Sequence, residues 1–280
     1  KIGDVSHEII EYIASYGGRY AQKKGKIVHD ADYFSHQIKL KEAEKFVSQK
    51  KGEDVVKKTF VQPELLRSAL VTTKKKEQEV IVPEVESGRI EIIAIGISTG
   101  GPNALREVFP LLKQNIKQPI LVVQHMPAGF TAEFANSLNK VCPLTVTEAK
   151  DGEPILSGHI YIAPGNYHMT VESHGISHFI KLNQENPRNG HRPSCDVLFE
   201  SVANVYGNRA LGIIMTGMGR DGAAQLAQMR KKGARTLGQD CDSSIVYGMP
   251  RVAFELGAVQ KQVPLSNMAE EINNLVLNNE

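Results

Sequence analysis

From residue 89 onward, short apolar runs alternate with segments of helical character. The first run, Ile90–Ile97, is apolar except for Glu91 and rich in β-branched residues, as expected of a strand buried on both faces. The segment Pro102–Gln114 follows it and is predicted to be a helix with a proline in its first turn. Further strands are predicted at Ile120–Val123, Leu144–Thr147, Ile160–Ala163, Leu211–Met215 and Arg235–Gly238, and further helices at Thr131–Asn139, Ser194–Val205 and Ala223–Lys231.

This alternation predicts an α/β fold with a doubly wound, mostly parallel sheet and helices on both faces. The segments His168–Glu172 and Ser177–Leu182 predict a small hairpin that turns near Gly175. Ligands of such sheets bind at the carboxyl ends of the strands. The residues that follow each strand are therefore the candidates for chemistry.

The first part of the chain has a different composition. Residues 1–88 carry 30 charged side chains, against 34 in the 192 residues that follow. An apolar helical face runs from Ile9 to Tyr16, and 72–88 resembles a linker. We therefore expect 1–88 to be a charged helical and linker segment of unassigned function, and 89–280 to be the folded domain.

Composition excludes several classes of protein. The net charge of +2 is too small to indicate nucleic-acid binding, and no apolar run approaches the roughly 20 residues that a membrane span needs. Cys142, Cys195 and Cys241 are widely separated and show no metal-ligand spacing, so we expect no metal site and a reducing, cytoplasmic location. No signal peptide is visible, and Lys1 in place of an initiator methionine predicts a piece of a longer protein.

The first strand is followed by a candidate nucleophile. The residues Gly96-Ile97-Ser98-Thr99-Gly100 fit G-x-S-x-G, in which a serine projects from a sharp strand-to-helix turn. Small neighbours let a substrate carbonyl approach, and the helix N-terminus favours developing negative charge. The alternative is a glycine-rich turn whose serine only caps the helix.

Two further strand ends supply a candidate base and a candidate acid. His125 follows the second strand, where a histidine can act as a general base near neutral pH. Asp221 follows the strand Leu211–Met215 and could orient that histidine, although an aspartate here could equally cap the next helix. Because parallel strands bring their carboxyl ends together, the three residues support one another as a catalytic triad.

The third strand end also permits a nucleotide-binding interpretation. Gly217–Gly222 satisfies G-x-G-x-x-G, and Asp240 stands about 20 residues further on, where a ribose-binding acid would lie. Against this, Asp221 would place a carboxylate where a pyrophosphate should bind. The order Ser98, His125, Asp221 also differs from the nucleophile–acid–base order of ordinary α/β-hydrolases.

Seven ordered segments of 89–275 closely resemble the catalytic domain of the chemotaxis receptor methylesterases, also called protein-glutamate methylesterases. They are Ile97-Ser98-Thr99-Gly100-Gly101-Pro102; Gln124-His125-Met126-Pro127 with Phe130-Thr131; Ala163-Pro164-Gly165 with His168; Arg192-Pro193-Ser194 with Asp196, Leu198-Phe199 and Ser201; Thr216-Gly217-Met218-Gly219 with Asp221-Gly222; Gln239-Asp240 with Ser244; and Tyr247-Gly248-Met249-Pro250.

The resemblance implies a serine esterase that removes methyl esters from glutamates of bacterial chemoreceptors, releases methanol and also deamidates receptor glutamines. The family's serine, histidine and aspartate fall on Ser98, His125 and Asp221, and its backbone oxyanion donor falls at Met218. For the mechanism, we expect backbone N–H groups near Thr99 and Met218 to hold the oxyanion. No metal or other cofactor is implied. The expected partners are the cytoplasmic domains of methylated chemoreceptors.

The chain also departs from the family. Members usually carry an N-terminal phosphorylatable receiver domain, and residues 1–88 look too short for one and lack a clear phosphoacceptor aspartate. Interaction with a receiver domain or a chemotaxis kinase therefore stays open. So do a serine hydrolase or amidase acting on another substrate, the nucleotide-binding protein, and a catalytically silent interaction module.

Overall fold

The computed structural model describes residues 80–277, and its centre is a parallel sheet of seven strands. The strands are β1 (Ile92–Ile97), β2 (Ile120–Gln124), β3 (Thr145–Glu148), β4 (His159–Ile162), β7 (Ala210–Ile214), β8 (Arg235–Gln239) and β9 (Lys261–Val263). They are arranged in the order β3-β4-β2-β1-β7-β8-β9, and each neighbouring pair is parallel. This confirms the predicted parallel sheet.

A separate antiparallel hairpin lies between β4 and β7 in the chain. It consists of β5 (His168–His174) and β6 (Ser177–Asn183), paired along their whole length. The turn contains Gly175 with a φ of +65°, a conformation that glycine adopts without steric cost. The predicted hairpin and the position of its turn are confirmed.

Six α-helices cover the two faces of the sheet among the described residues. They are α1 (Gly101–Val108), α2 (Thr131–Asn139), α3 (Cys195–Tyr206), α4 (Ala223–Lys231), α5 (Met249–Glu255) and α6 (Leu265–Leu277). Buried residues of α1, α2 and α6 share one hydrophobic cluster, and those of α3, α4, α5 and the hairpin share the other. None of these helices is long and apolar enough to cross a membrane.

The position of β1 between two layers of helices explains why its sequence is continuously apolar. Ile93, Ile95 and Ile97 pack into the cluster with α1, α2 and α6, while Ile92 and Ala94 pack into the opposite cluster. All six residues of the strand are buried. A strand with a helix layer on each face has no polar side, so period-two alternation disappears.

The predicted helix Pro102–Gln114 is too long. α1 ends at Val108, and a short 3₁₀ turn, Phe109–Leu111, follows it. Pro110 lies in this turn and lacks the N–H that a continuing helix requires. The other predicted elements after residue 89 are present within one or two residues, whereas α5, β9 and α6 had not been predicted.

The N-terminal segment falls largely outside the described residues. The helical face predicted from Ile9 to Tyr16 lies there, as does the first part of the expected linker. From its last residues, the Glu84 N–H donates to the Lys231 carbonyl and the Gly88 N–H donates to the Asn208 carbonyl. The division of the chain near residue 88 stays a prediction.

Candidate active site

Neighbouring strands of the large sheet end side by side and carry the predicted nucleophile and base. β1 lies between β2 and β7, and the register pairs Ile97 with Gln124. Ser98 and His125 follow these residues, and the His125 N–H donates to the Ile97 carbonyl at 3.1 Å. The strand order reverses at β1, because β2 lies on one side of it and the later strand β7 on the other. Open α/β sheets bind ligands at such a reversal, outside the carboxyl ends of the strands.

The turn after β1 bends at a glycine and leaves the Ser98 side chain free of a capping role. Gly100 has a φ of +84° and is the N-cap of α1, which has no side-chain cap. The alternative that Ser98 only caps the helix is therefore wrong. A Cβ atom at Gly217, in the loop after β7, would lie 2.8 Å from the Ser98 Cβ, so the absence of a side chain there lets this loop pack against the serine.

A buried glutamine links the serine turn to the histidine loop. Gln124 is 2% exposed, and its Nε2 donates to the carbonyls of Ser98 at 3.1 Å and His125 at 3.0 Å. A Cβ atom at Gly101 would collide with the Gln124 amide oxygen. The second glycine of the Gly100-Gly101 pair therefore makes room for this link.

His125 is held by Asp221 through one ring nitrogen. Its Nε2 lies 2.8 Å from the Asp221 Oδ2, and the two side chains are 8% and 0% exposed. A neutral ring donates from Nε2 to the carboxylate and keeps Nδ1 as an acceptor. Nδ1 is buried and has no hydrogen-bond partner among the described residues, so it is available as a base.

Asp221 accepts five hydrogen bonds and donates none, as expected of an ionised carboxylate rather than of a protonated acid. Their donors are the His125 Nε2, the Asn189 Nδ2, the Ser194 Oγ and the backbone N–H groups of Cys195 and Asp196. Burial raises the pKa of Asp221, but this effect is outweighed by the hydrogen bond and charge of His125 and by the hydrogen bonds from Asn189 and Ser194. The pKa of Asp221 therefore lies well below its ordinary value.

Two carboxylates at this site each accept a backbone N–H from the start of the other residue's helix. The N-cap of α4 is Gly222, with no side-chain cap, so the alternative that Asp221 caps the next helix is wrong. Asp221 instead accepts the Cys195 N–H at the start of α3, at 2.6 Å. Asp196 on α3 accepts the Gln225 N–H at the start of α4, at 3.1 Å. Each carboxylate thus meets the positive end of the other helix.

Two residues of the turn before α3 complete the surroundings of the pair. The Asn189 Nδ2 donates to both Asp221, at 2.9 Å, and Asp196, at 2.6 Å. Burial and the charge of Asp221 raise the pKa of Asp196, and this shared amide opposes the rise. The His191 ring stacks on His125 with centroids 3.8 Å apart and an interplanar angle of 12°. Burial, and then the charge of His125, lowers the pKa of His191.

Sequence reasoning assigned no role to Asn189, His191 or the hydroxyl of Ser194. One signal was available, because Asn189 and His191 lie just before the predicted helix Ser194–Val205 and Ser194 is its first residue. A helix N-terminus at the carboxyl edge of the sheet is a natural place to hold an anion. His168 is also buried near this turn, and its Nδ1 accepts the Ser194 N–H at 3.3 Å, so it supports the same turn.

The two predicted oxyanion donors lie on loops at the same edge. Thr99 follows Ser98, and its carbonyl accepts the Thr216 hydroxyl at 2.9 Å. Met218 follows Gly217 in the loop after β7, and its side chain is 54% exposed. Among the hydrogen bonds of residues 80–277, none uses the backbone N–H of Thr99 or Met218.

The geometry disfavours the nucleotide-binding interpretation of Gly217–Gly222. Asp221 places a buried negative charge within this turn, committed to His125 and to the start of α3. The carboxylate of Asp240 accepts hydrogen bonds from the backbone N–H and the hydroxyl of Ser243. Asp221 therefore opposes a bound pyrophosphate, and one oxygen of Asp240 is engaged in a local turn with Ser243.

Spacing in the sequence missed one cluster of potential metal ligands. One donor atom from each of His125, Cys195 and Asp221 lies within 4.8 Å of the other two. The Cys195 Sγ is 3.6 Å from the His125 Nε2. Burial, followed by the charge of Asp221, raises the pKa of the Cys195 thiol well above its ordinary value.

Known proteins share both the sequence and the fold of this domain. Residues 93–272 match the CheB methylesterase family. The protein-glutamate methylesterase/protein-glutamine glutaminase of Treponema pallidum is 59% identical over 204 residues, which are 73% of this chain and 51% of that protein. Its counterpart in Treponema denticola is 55% identical over 204 residues, 73% of this chain and 55% of that protein.

A solved structure agrees with these relatives. The crystal structure of the Thermotoga maritima CheB methylesterase catalytic domain superposes with a TM-score of 0.65 at 36% sequence identity, and the match covers 67% of this chain and 99% of that one. The chain spans about half the length of the curated relatives it matches. The family match extends over most of the folded domain and agrees with its topology, and on that basis the chain belongs to the CheB methylesterase family.

Proposed function

We propose that this chain hydrolyses methyl esters of glutamate side chains on bacterial chemoreceptors and releases methanol. The observation that carries the proposal is the buried His125–Asp221 hydrogen bond of 2.8 Å beside the serine at the end of β1. A histidine oriented by a carboxylate next to a serine is the arrangement that activates a hydroxyl for attack on a carbonyl. The names of the relatives supply the class of ester.

In the first step, the Nδ1 of His125 takes the proton of the Ser98 hydroxyl as its oxygen attacks the ester carbonyl. Nδ1 is the ring nitrogen that Asp221 leaves free. The imidazolium that forms is stabilised by Asp221, which remains ionised because its pKa lies well below the ordinary value. The same nitrogen then protonates the departing methoxide, which leaves as methanol.

The tetrahedral intermediate is stabilised by backbone N–H groups of Thr99 and Met218. Both lie on loops that meet beside Ser98, since Gly217 packs against the serine. One donor of this kind typically contributes about 3 to 4 kcal/mol to transition-state stabilisation. In the second step, water activated by His125 attacks the glutamyl-enzyme, the bond to the Ser98 oxygen breaks, and His125 returns the proton to Ser98 as the receptor leaves with a glutamate carboxylate.

The same chemistry extends to deamidation of receptor glutamines, because a glutaminyl side chain presents the same carbonyl with ammonia as the leaving group. The partners are then the cytoplasmic domains of chemoreceptors, and the reaction takes place in the cytoplasm. Within the described residues, Cys142, Cys195 and Cys241 form no disulfide bond, which is consistent with a reducing compartment. Regulation by a receiver domain or a chemotaxis kinase would follow the pattern of the family.

The decisive experiment measures methanol released from carboxyl-methylated chemoreceptor membranes by the full chain and by Ser98→Ala. We expect release by the wild type and none above background by the variant, since the nucleophile is lost. Ser173→Ala, which alters an exposed serine of the hairpin, is the matched control and should retain wild-type release.

Absence of release by the wild type would contradict the proposal. Release by Ser98→Ala at the wild-type rate would contradict the assigned nucleophile. If the wild type cleaves a small activated ester in a Ser98-dependent manner but leaves the receptors methylated, the chain is a serine hydrolase with another substrate.

A further inference from the structure

A buried thiol that the proposed mechanism does not use lies against the His125–Asp221 pair. Cys195 is the first residue of α3 and is 0% exposed. Its Sγ is 3.6 Å from the His125 Nε2, the nitrogen bonded to Asp221. One donor atom from each of the three side chains lies within 4.8 Å of the others.

The packing around Cys195 fixes the thiol in this position. A Cβ atom at Gly96 would lie 2.9 Å from the Sγ, and one at Gly222 would lie 2.8 Å from the Cys195 Cβ. The thiol is thus held between two positions that have no side chain. The thiol also contacts the Val123 carbonyl at 3.9 Å, so it faces β2, the strand that His125 follows.

The three donors match the ligand chemistry of zinc, and the nitrogen–sulfur spacing matches its geometry. Imidazole nitrogen, thiolate sulfur and carboxylate oxygen are its ordinary protein ligands. A tetrahedral zinc with ordinary bond lengths would separate the nitrogen from the sulfur by roughly 3.5 Å and from the oxygen by roughly 3.4 Å. The observed separations are 3.6 Å and 2.8 Å, so the ion fits once the His125–Asp221 hydrogen bond opens.

We propose that His125, Cys195 and Asp221 form an inhibitory zinc site, in which the metal takes the place of the proton between His125 and Asp221. Zinc binds the Nε2, and the proton of that nitrogen moves to Nδ1, so the ring stays neutral. The Cys195 thiol releases its proton to solvent and binds as thiolate. No atom is oxidised or reduced.

Binding of this kind would stop the reaction, and in this respect the inference rests on the proposed function. With a proton on Nδ1, His125 can no longer accept the proton of Ser98. The Asp221 Oδ1 keeps its hydrogen bonds from Asn189 and Ser194, so the carboxylate is not displaced. Removal of the metal by a chelator restores the original hydrogen bond and the activity.

The first test titrates zinc chloride against methanol release by the full chain, with every protein carrying Cys241→Ser to remove the exposed thiol. Each variant is compared with its own zinc-free rate. We expect inhibition that EDTA reverses, and a half-inhibitory concentration raised about tenfold or more in Cys195→Ala, because one of three ligands is lost. Cys142→Ala, which removes a half-buried thiol elsewhere, should leave this concentration unchanged.

The second test detects the metal directly and does not depend on activity. Cobalt(II) replaces zinc as the probe, and thiolate coordination is read from the sulfur-to-cobalt charge-transfer absorption. We expect this absorption in the parent protein and its loss in Cys195→Ala; Cys195→Ser serves as a second variant of nearly the same size, in case the alanine variant does not fold.

The outcomes separate the two proposals. A Cys195-dependent cobalt band in a protein that releases no methanol supports the site and contradicts the function. Methanol release that zinc does not inhibit, or inhibits equally in Cys195→Ala, overturns the site and leaves the function standing. Loss of the cobalt band in Cys142→Ala but not in Cys195→Ala would also overturn it.

Discussion

Each edge of the central sheet contains a buried glutamine, and the two glutamines have different roles. At the amino edge, Gln118 is 5% exposed and its Nε2 donates to the Ile90 carbonyl at 3.2 Å. At the carboxyl edge, Gln124 is 2% exposed and donates to the carbonyls of Ser98 and His125. The first glutamine closes the start of two strands, while the second links the two residues proposed to exchange a proton.

Charge is also distributed differently between the edges. At the amino edge, Arg209 pairs with Glu91 and both side chains are 42% exposed, so the pair contributes about 0 to 1 kcal/mol. At the carboxyl edge, Asp221 is ionised with a fully buried side chain and requires five donors. A buried charge costs several kcal/mol unless it is paired and hydrogen-bonded. The hydrogen bonds at the carboxyl edge thus stabilise the buried charge of Asp221, whereas the contacts at the amino edge join the starts of strands.

The largest expected effect comes from removing that charge. In Asp221→Asn, the side chain loses its ability to hold His125 with the proton on Nε2, and part of the amide faces donors that need an acceptor. We expect kcat to fall by about 10⁴-fold, with a much smaller change in KM. Methanol release measured over a range of receptor concentrations separates the two constants.

The matched control for this variant is Asp242→Asn. Asp242 is an exposed acid in the loop after β8, at the same edge of the sheet. Its loss should change kcat by less than about twofold, since an exposed charge is largely screened by solvent. Equal losses in the two variants, or an Asp221→Asn turnover within tenfold of the wild type, would remove Asp221 from the proposed triad.

Much of the carboxyl edge could be predicted because the strands have a clear signal in the sequence. An isoleucine-rich run such as Ile90–Ile97, in which Glu91 is the one polar residue, favours a buried strand, and parallel pairing then places the residues after each strand together. The parallel sheet and the placement of Ser98 and His125 after neighbouring strands follow from this reasoning, and the hairpin follows from two short runs on either side of Gly175.

The contacts that hold Asp221 could not be predicted in the same way. Asn189, Ser194 and Cys195 reach it from α3 and the turn before it, and they lie 32, 27 and 26 residues away in the chain. No sequence period relates the start of one helix to the loop before another. Exchange of capping carboxylates between α3 and α4 depends on how the two helices pack, which only the folded chain determines.

The next largest effect tests the comparison of the two glutamines. Gln124→Leu removes two hydrogen bonds, each worth about 0.5 to 1.5 kcal/mol, that position Ser98 and His125. If most of this energy serves positioning, kcat falls by roughly 5- to 150-fold. KM should change little, because the glutamine is buried and the bonds act on the chain rather than on substrate.

Gln118→Leu is the control, since it removes a hydrogen bond of the same kind at the opposite edge. We expect this variant to lose about 0.5 to 1.5 kcal/mol of stability and to retain its turnover. Thermal unfolding of both variants, measured beside their kinetics, distinguishes positioning from general destabilisation. If both glutamines change kcat equally, the contrast between the edges is wrong.

The smallest expected effect on turnover comes from one of the donors to Asp221. Ser194→Ala removes a hydrogen bond of 2.7 Å, and the pKa of Asp221 should rise towards its ordinary value. A lowered carboxyl pKa stabilises the fold above the pKa of the unfolded chain, about 3.9, and this contribution disappears as pH falls through the folded value. The variant should therefore be less stable than the wild type by about 1.5 to 3 kcal/mol at pH 7, with the difference shrinking only below about pH 4.

The control is Ser201→Ala, within α3, where the lost hydrogen bonds join neutral groups. Chemical denaturation of this variant should therefore give a difference in stability that does not depend on pH. A pH-independent difference in Ser194→Ala as well would mean that its hydroxyl does not stabilise the charge of Asp221.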